Sequence, residues 1–217
     1  MENQIILIDK PANISSFGVV AKIRGKLRND FGHKVKVGHT GTLDPFATGL
    51  LILLTGQNTK KSSEFLKLDK VYEATLKLGY TSTTGDPEGE IKKLNAKNIE
   101  ISKIKNTLNS FIGKINQTPP KFSAIKINGQ RAYKLARQNK DFEIPTRQVE
   151  IYSIEILEYN YPELKIRCHV SSGTYIRTLA EDIGKKLGTG AYLITLRRTK
   201  IANYSVDEAL PLSYFTK

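Results

Sequence analysis

The apolar residues of this chain change period again and again, without the regular strand–helix–strand alternation of a doubly wound fold. Gln4 to Ile8 and Leu50 to Thr55 are short continuous apolar runs of strand length. Val71 to Leu78 alternates, and Val149 to Tyr159 and Leu164 to Val170 flank the turn at Asn160-Tyr161-Pro162. Ala191 to Leu196 is a further strand candidate, as are the weaker Lys34 to Gly38 and Phe122 to Ile127. Helical spacing is clearest at Ile176, Leu179, Ala180, Ile183 and Leu187, which share one face, with Gly188 as the stop. Ser15 or Ser16 can cap an earlier helix carrying Phe17, Val20, Ile23 and Leu27. Ile101 to Phe111 and Arg131 to Asn139 predict two more helices, and Ser205 a short terminal one through Leu210. Gly85-Asp86-Pro87-Glu88-Gly89 is a dense turn signal. This mixture predicts an α+β domain on one long, largely antiparallel mixed sheet flanked by helices and loops.

The 217 residues fit a single domain over 1–217 that needs no staples. Cys168 is the one cysteine, which excludes an internal disulfide and a multi-cysteine zinc site. Cys168-His169 is not a nucleophile–base pair, because neighbours on a strand face opposite ways. His33, His39 and His169 lack ligand spacing, so no metal is expected. No apolar run approaches a membrane span, and the N-terminus lacks a signal peptide's pattern, so the cytosol is the expected compartment. The net charge of +13 points to a polyanionic partner. An arm after Pro119-Pro120, about residues 119–148, concentrates that charge. Lys121, Lys126, Arg131 and Arg137 interleave there with Phe122 and Tyr133, a mixture that suits RNA phosphates and bases and equally describes a solvated hairpin.

The loop Gly38-His39-Thr40-Gly41-Thr42-Leu43-Asp44-Pro45-Phe46-Ala47-Thr48-Gly49 lies between two predicted strands and holds a single acid. It has no Gly-Lys-Ser/Thr, so it is not a Walker loop. Thr40-Gly41-Thr42 also occurs in phosphorylated-aspartate ATPases, but those place the acid before the triplet. By itself an Asp before Pro is a turn residue.

The whole string resembles the central motif of the TruB family of tRNA pseudouridine synthases, and further segments resemble that family in order. These are Asp9-Lys10-Pro11 with Ser15-Ser16-Phe17, Asp69-Lys70-Val71-Tyr72-Glu73-Ala74 with Leu78-Gly79, and Pro119-Pro120-Lys121-Phe122-Ser123-Ala124-Ile125-Lys126 with Gly129, Arg131, Tyr133, Ala136 and Arg137. Gly173-Thr174-Tyr175-Ile176-Arg177-Thr178-Leu179 with Asp182-Ile183-Gly184, and Leu196-Arg197-Arg198-Thr199, complete the set.

The resemblance implies the pseudouridine synthase fold and isomerisation of uridine to pseudouridine at position 55, in the T-loop of tRNA. No cofactor is implied. Asp44 takes the place of the catalytic aspartate and Arg177 that of its guanidinium partner, which favours the ionised acid. Tyr72 would stack on the flipped uracil, and His39 would fill the space that the base vacates. Tyr175 and Leu196 would wall the pocket, Lys10 and Pro11 would support the loop, and the arm would be an RNA-gripping thumb. The partner implied is the tRNA T-arm, with no membrane and no obligatory protein partner, and the expected state is a monomer. About twenty residues follow Arg197-Arg198, too few for the complete PUA domain that bacterial members usually carry. Two alternatives remain: an RNA-binding or tRNA-folding module without catalysis, and a guide-RNA-dependent synthase of the dyskerin-like branch.

Overall fold

A computed structural model describes residues 2–94, 96–127, 129–138 and 140–215. The chain divides into two compact units, Met1–Tyr72 with Leu196–Lys217, and Glu73–Thr195.

The first unit is organised by a strand buried on both faces. β1 (Ile5–Lys10) leads to α1 (Ser16–Phe31), β2 (Val37–His39) and β3 (Thr48–Thr55). β1 lies antiparallel to β3 from Ile5↔Leu54 to Lys10↔Gly49, and β2 pairs antiparallel with the other end of β3. Gly49 to Thr55 are all buried, which explains an apolar run with no polar alternation. Leu51 and Leu53 pack with Ile6, Ile8 and the α1 residues Val19, Val20, Ile23 and Leu27. Leu50, Ile52 and Leu54 pack the opposite way, with Phe65 and Ile201. Ser15 caps α1 by accepting from the Gly18 N–H at 3.0 Å. Phe17, expected on the apolar face, is instead 65% exposed; the buried stripe passes through Ser16, Val19 and Val20. A 3₁₀ turn (Gly56–Lys61) and the short α2 (Ser62–Leu66) carry the chain to β4 (Lys70–Leu78).

The second unit takes most of β4, then β5 (Tyr80–Ser82) paired with β6 (Ile91–Lys93). α3 (Ile101–Asn109) and β7 (Gly113–Gln117) follow. The arm contains β8 (Lys126–Ile127), β9 (Gln130–Arg131) and α4 (Ala132–Arg137). β10 (Arg147–Asn160), β11 (Glu163–Val170), α5 (Ile176–Leu187) and the start of β12 (Ala191–Ile201) complete it. Strand order is β4-β11-β10-β7, and β10 is antiparallel to both neighbours. The strand expected over Phe122 to Ile127 shrinks to β8 because the carbonyls before it are claimed locally. Ser123 O accepts from Tyr133 N–H and Ile125 O from Ala132 N–H, while the Arg131 guanidinium donates to Ala124 O. The predicted end of the next helix, Asn139, lies outside the described residues. α5 ends at Gly188, whose φ of +76° is left-handed like the +74° of Gly32 at the end of α1. A Cβ on Gly184 would sit 2.2 Å from Ala191 N, so only glycine lets α5 approach the turn into β12.

β12 runs past the expected Leu196 to Ile201 and returns the chain to the first unit. There it lies parallel to β3 at Arg197↔Thr48 and pairs with β13 (Tyr204–Ser205). The helix expected from Ser205 to Leu210 is a 3₁₀ turn (Val206–Glu208), after which β14 (Leu210–Pro211) joins β1 in parallel. The fold class is α+β with a large mixed sheet. Among the described residues no helix is long and apolar enough to cross a membrane.

Candidate functional site

In the first unit the loop between β2 and β3 is tied down at successive points. Thr40 N–H and hydroxyl both reach Ile52 O, at 3.1 and 3.3 Å. The Ser16 hydroxyl, 1% exposed, accepts from Leu43 N–H at 2.8 Å and donates to Leu43 O at 3.0 Å. Asp44 follows at once, half-buried, and its carbonyl accepts from Ala47 N–H at 3.1 Å. Asp44-Pro45-Phe46-Ala47 is therefore a β-turn with proline at its second position, where the fixed φ suits it. The fully buried Lys10 ammonium donates to the carbonyls of Pro11, Ile14 and Pro45, at 2.9, 2.8 and 3.1 Å. Arg198, 1% exposed, donates from Nε to Leu50 O at 2.8 Å and from Nη2 to Gly41 O at 3.1 Å. A Cβ on Gly49 would stand 2.3 Å from Arg198 O, and its φ of +99° disfavours any other residue. Both backbone walls of the Asp44 turn are thus held by cations bound to carbonyls. Asp9 and Arg197 form a two-pronged ion pair at 3.0 and 2.8 Å where β1 ends.

Tyr72 and Leu196 also belong to the first unit, 8% and 7% exposed. His39 is half-buried at the end of β2, with Nδ1 3.4 Å from Gly41 N. Pro11 is exposed. Lys70, two residues before Tyr72, donates to Leu66 O at 2.9 Å, and burial pushes its ammonium down to about 8 with Arg198 adding to the effect.

In the second unit Tyr175 precedes α5, and Arg177 lies in its first turn. The Arg177 side chain is buried in an ion pair: Nη1 is 3.0 Å from Asp86 Oδ2 and 2.9 Å from Thr84 O. Nη2 donates to Phe122 O, in the arm, at 2.8 Å. Asp86, 2% exposed, is fixed in turn by Thr84 Oγ1 at 2.5 Å and Glu88 N–H at 3.0 Å. Glu181, one turn further along α5, has its carboxyl pushed up from the ordinary value, first by burial and then by Asp182; Arg177 opposes the shift. Lys121, Lys126, Arg131 and Arg137 are exposed on the arm, and the Arg137 guanidinium lies 5.8 Å from the Tyr133 ring centroid.

A family model described as "TruB family pseudouridylate synthase (N terminal domain)" matches residues 28–176, well over half of the chain. The chain belongs to the TruB family of pseudouridylate synthases. A second model of the family, "tRNA pseudouridylate synthase B C-terminal domain", matches 177–217. The relatives of this TruB-family chain include a tRNA pseudouridine synthase B of Phocaeicola vulgatus. It is 45% identical over 216 residues, 99% of this chain and 92% of the relative. One of Aquifex aeolicus is 45% identical over 212 residues, 97% of this chain and 72% of the relative. Among solved structures, the chain is similar to one in a Cbf5-Nop10-Gar1 complex, with TM-score 0.75 and 30% identity. It covers 98% of itself there and spans about half, 53%, of that chain. A chain of an H/ACA RNP bound to a substrate RNA containing 2′-deoxyuridine gives TM-score 0.72 at 28% identity.

Several positioning groups escaped the sequence reading. Asp86 stood inside a turn signal, Ser16 was a cap candidate, and Arg198 had no role beyond its motif. A buried charge needs a partner, so an arginine in the buried first turn of an amphipathic helix is the signal that points to an acid.

Proposed function

We propose that this chain isomerises uridine to pseudouridine at position 55 in the T-loop of tRNA, with Asp44 as the catalytic carboxylate acting on a flipped-out nucleotide. In the reaction the N1–C1′ bond breaks and a C5–C1′ bond forms. The proton leaves C5 and N1 takes one up, so nothing is oxidised, reduced or hydrolysed. Asp44 supplies the carboxylate and Arg177 the guanidinium. Tyr72, Tyr175 and Leu196 line the base, His39 fills the emptied stack, and Lys10 and Pro11 hold the loop. Lys121, Lys126, Arg131, Tyr133 and Arg137 make the 119–148 segment a thumb on RNA, and the chain works as one catalytic domain.

The observation that carries this reading is the match at about 45% identity, across 97–99% of the chain, to curated tRNA pseudouridine synthases B. The anchored Asp44 turn supports it, since a carboxylate carried on so firmly held a backbone turn is of no use to a protein that only grips a polyanion. The test uses the whole chain and a T-arm stem-loop RNA, with pseudouridine read by mass spectrometry. The wild type forms pseudouridine with no other protein or RNA added; Asp44→Asn and Asp44→Ala form none and still bind RNA, with affinity that falls steeply with salt. Modification retained by Asp44→Asn refutes the role of Asp44. Likeness to the Cbf5 complexes favours a second reading, a guide-dependent synthase; modification only when a guide RNA and partner proteins are supplied would establish it instead.

A further inference from the structure

Two side chains at the roots of the arm converge on one residue. Gln117 ends β7 and Arg147 begins β10, directly opposite in register, so the arm leaves and rejoins the sheet between them. Gln117 is 1% exposed, and its amide closes on the Tyr175 backbone from both sides. Oε1 accepts from Tyr175 N–H at 2.7 Å, and Nε2 donates to Tyr175 O at 3.0 Å. The Arg147 guanidinium lies 5.0 Å from the centroid of the Tyr175 ring and donates to Gly173 O. A Cβ on Gly173 would stand only 3.4 Å from Arg147 Cζ, so the guanidinium sits directly over that backbone. The Thr118 and Thr146 hydroxyls, one residue into the arm on each side, meet at 2.8 Å.

We infer that Gln117 and Arg147 are positioning residues for the reaction proposed above, fixing the main chain and ring plane of Tyr175 and thereby the first turn of α5 that presents Arg177. The inference rests on that proposal. A residue gripped through both its N–H and its C=O has the two peptide planes that flank it fixed, and a planar cation over the ring restrains the side chain. The same α5 turn reaches back into the arm through Arg177 Nη2 and Phe122 O. A hold on RNA by the arm and the setting of the base pocket are therefore mechanically one event. The gain is a pocket wall in place before the nucleotide arrives, where a small displacement of a reacting group is costly in rate.

The deciding experiment is Gln117→Glu in the whole chain. A protonated carboxyl reproduces the amide: its C=O accepts from Tyr175 N–H and its O–H donates to Tyr175 O. An ionised one accepts only and repels that carbonyl. The charged groups of the cluster are Arg147, opposite in register on β10, and Arg177 two residues beyond Tyr175 on α5, the latter paired with Asp86. The single-turnover rate relative to wild type is expected to climb at least about tenfold from about pH 8.5 to about pH 6. Affinity for the stem-loop should stay within about threefold, which loss of folding would not produce. A relative rate flat across that range at the wild-type level overturns the inference, whereas one flat at least about tenfold below it, at kept affinity, marks a carboxylate held ionised by the neighbouring guanidiniums and supports it. Should the variant fail to fold, Arg147→Lys decides: it keeps the charge and loses the planar stack, so an unchanged rate overturns the inference. A loss of about tenfold at constant affinity supports it. Asp44→Asn run in parallel separates the two claims, since its activity tests the function and leaves the pH response of Gln117→Glu to test the positioning.

Discussion

Asp86→Asn removes one charge from the buried pair with Arg177 and almost nothing of its shape. The two side chains are 4% and 3% exposed and stand 3.0 Å apart. At such a site the attraction falls between about 1 kcal/mol in a water-like medium and about 4 kcal/mol near a protein surface at about 4 Å. Taking one partner from a buried pair costs about 3–5 kcal/mol, because the survivor stays desolvated. Asparagine keeps an oxygen for Glu88 N–H and the Thr84 hydroxyl, the bonds now made by Asp86 Oδ1. Its amide nitrogen then faces Nη1, donor against donor. The expected loss is therefore about 3 kcal/mol, a large part of the roughly 5–15 kcal/mol that holds a domain folded. Urea unfolding followed by circular dichroism reads it as a lower midpoint at unchanged slope. Asp86→Glu, which restores the charge at a different reach, separates charge from geometry. With Arg177→Met, Asp86→Asn closes a double-mutant cycle in stability and in single-turnover rate. A coupling below about 0.5 kcal/mol in both would refute the reasoning, since it would mean that the Asp86 charge does not help to hold Arg177.

Two other perturbations are informative. Ser16→Ala strips the hydroxyl that serves both Leu43 N–H and Leu43 O; a loss of about 1–3 kcal/mol in chemical unfolding is expected, with a larger fall in rate than in RNA affinity, because the Asp44 turn begins at the next residue. Glu181→Gln should stabilise the chain near neutral pH. Burial raises the Glu181 pKa in the folded state, so ionisation above it is a folded-state cost; the gain of the uncharged variant in melting temperature should fade as the pH falls below the ordinary carboxyl value, where both proteins are neutral. A gain that persists at low pH would rule out the titration of this carboxyl as its cause.

What the sequence made legible divides along a physical line. Periodicity reports apolar burial, and where burial organised the chain the reading succeeds. The unbroken Leu50 to Leu54 run is buried because β3 is covered on both faces, and the α5 stripe ends at Gly188 as its spacing implied. The Phe17 error has the same origin: a spacing of three and four admits two neighbouring stripes, and the structure takes the one through Ser16 and Val19. The groups that fix the candidate site leave no periodic trace. Lys10, Ser16, Arg198, Gln117 and Arg177 all act on main-chain carbonyls or N–H groups, which every residue possesses and no pattern marks. Their reach adds to this, since Gln117 is 58 residues from Tyr175, Arg177 is 91 from Asp86, and Arg198 is 157 from Gly41.

The same line explains why Asp86 was hidden. Gly85-Asp86-Pro87-Glu88-Gly89 satisfies every local rule for a turn, and it is one; Asp86 Oδ1 makes the bond to Glu88 N–H that such turns use. The second oxygen carries the long-range ion pair, so one carboxylate serves both scales and its local duty masks the other. Only the demand side was visible. An arginine in the first turn of a buried helix has to be neutralised, and a fold must bring an acid to it from somewhere. Asp86, like Asp44, has no lysine or arginine within four residues of it in the chain, so the charge of Asp86 is open to a distant pairing.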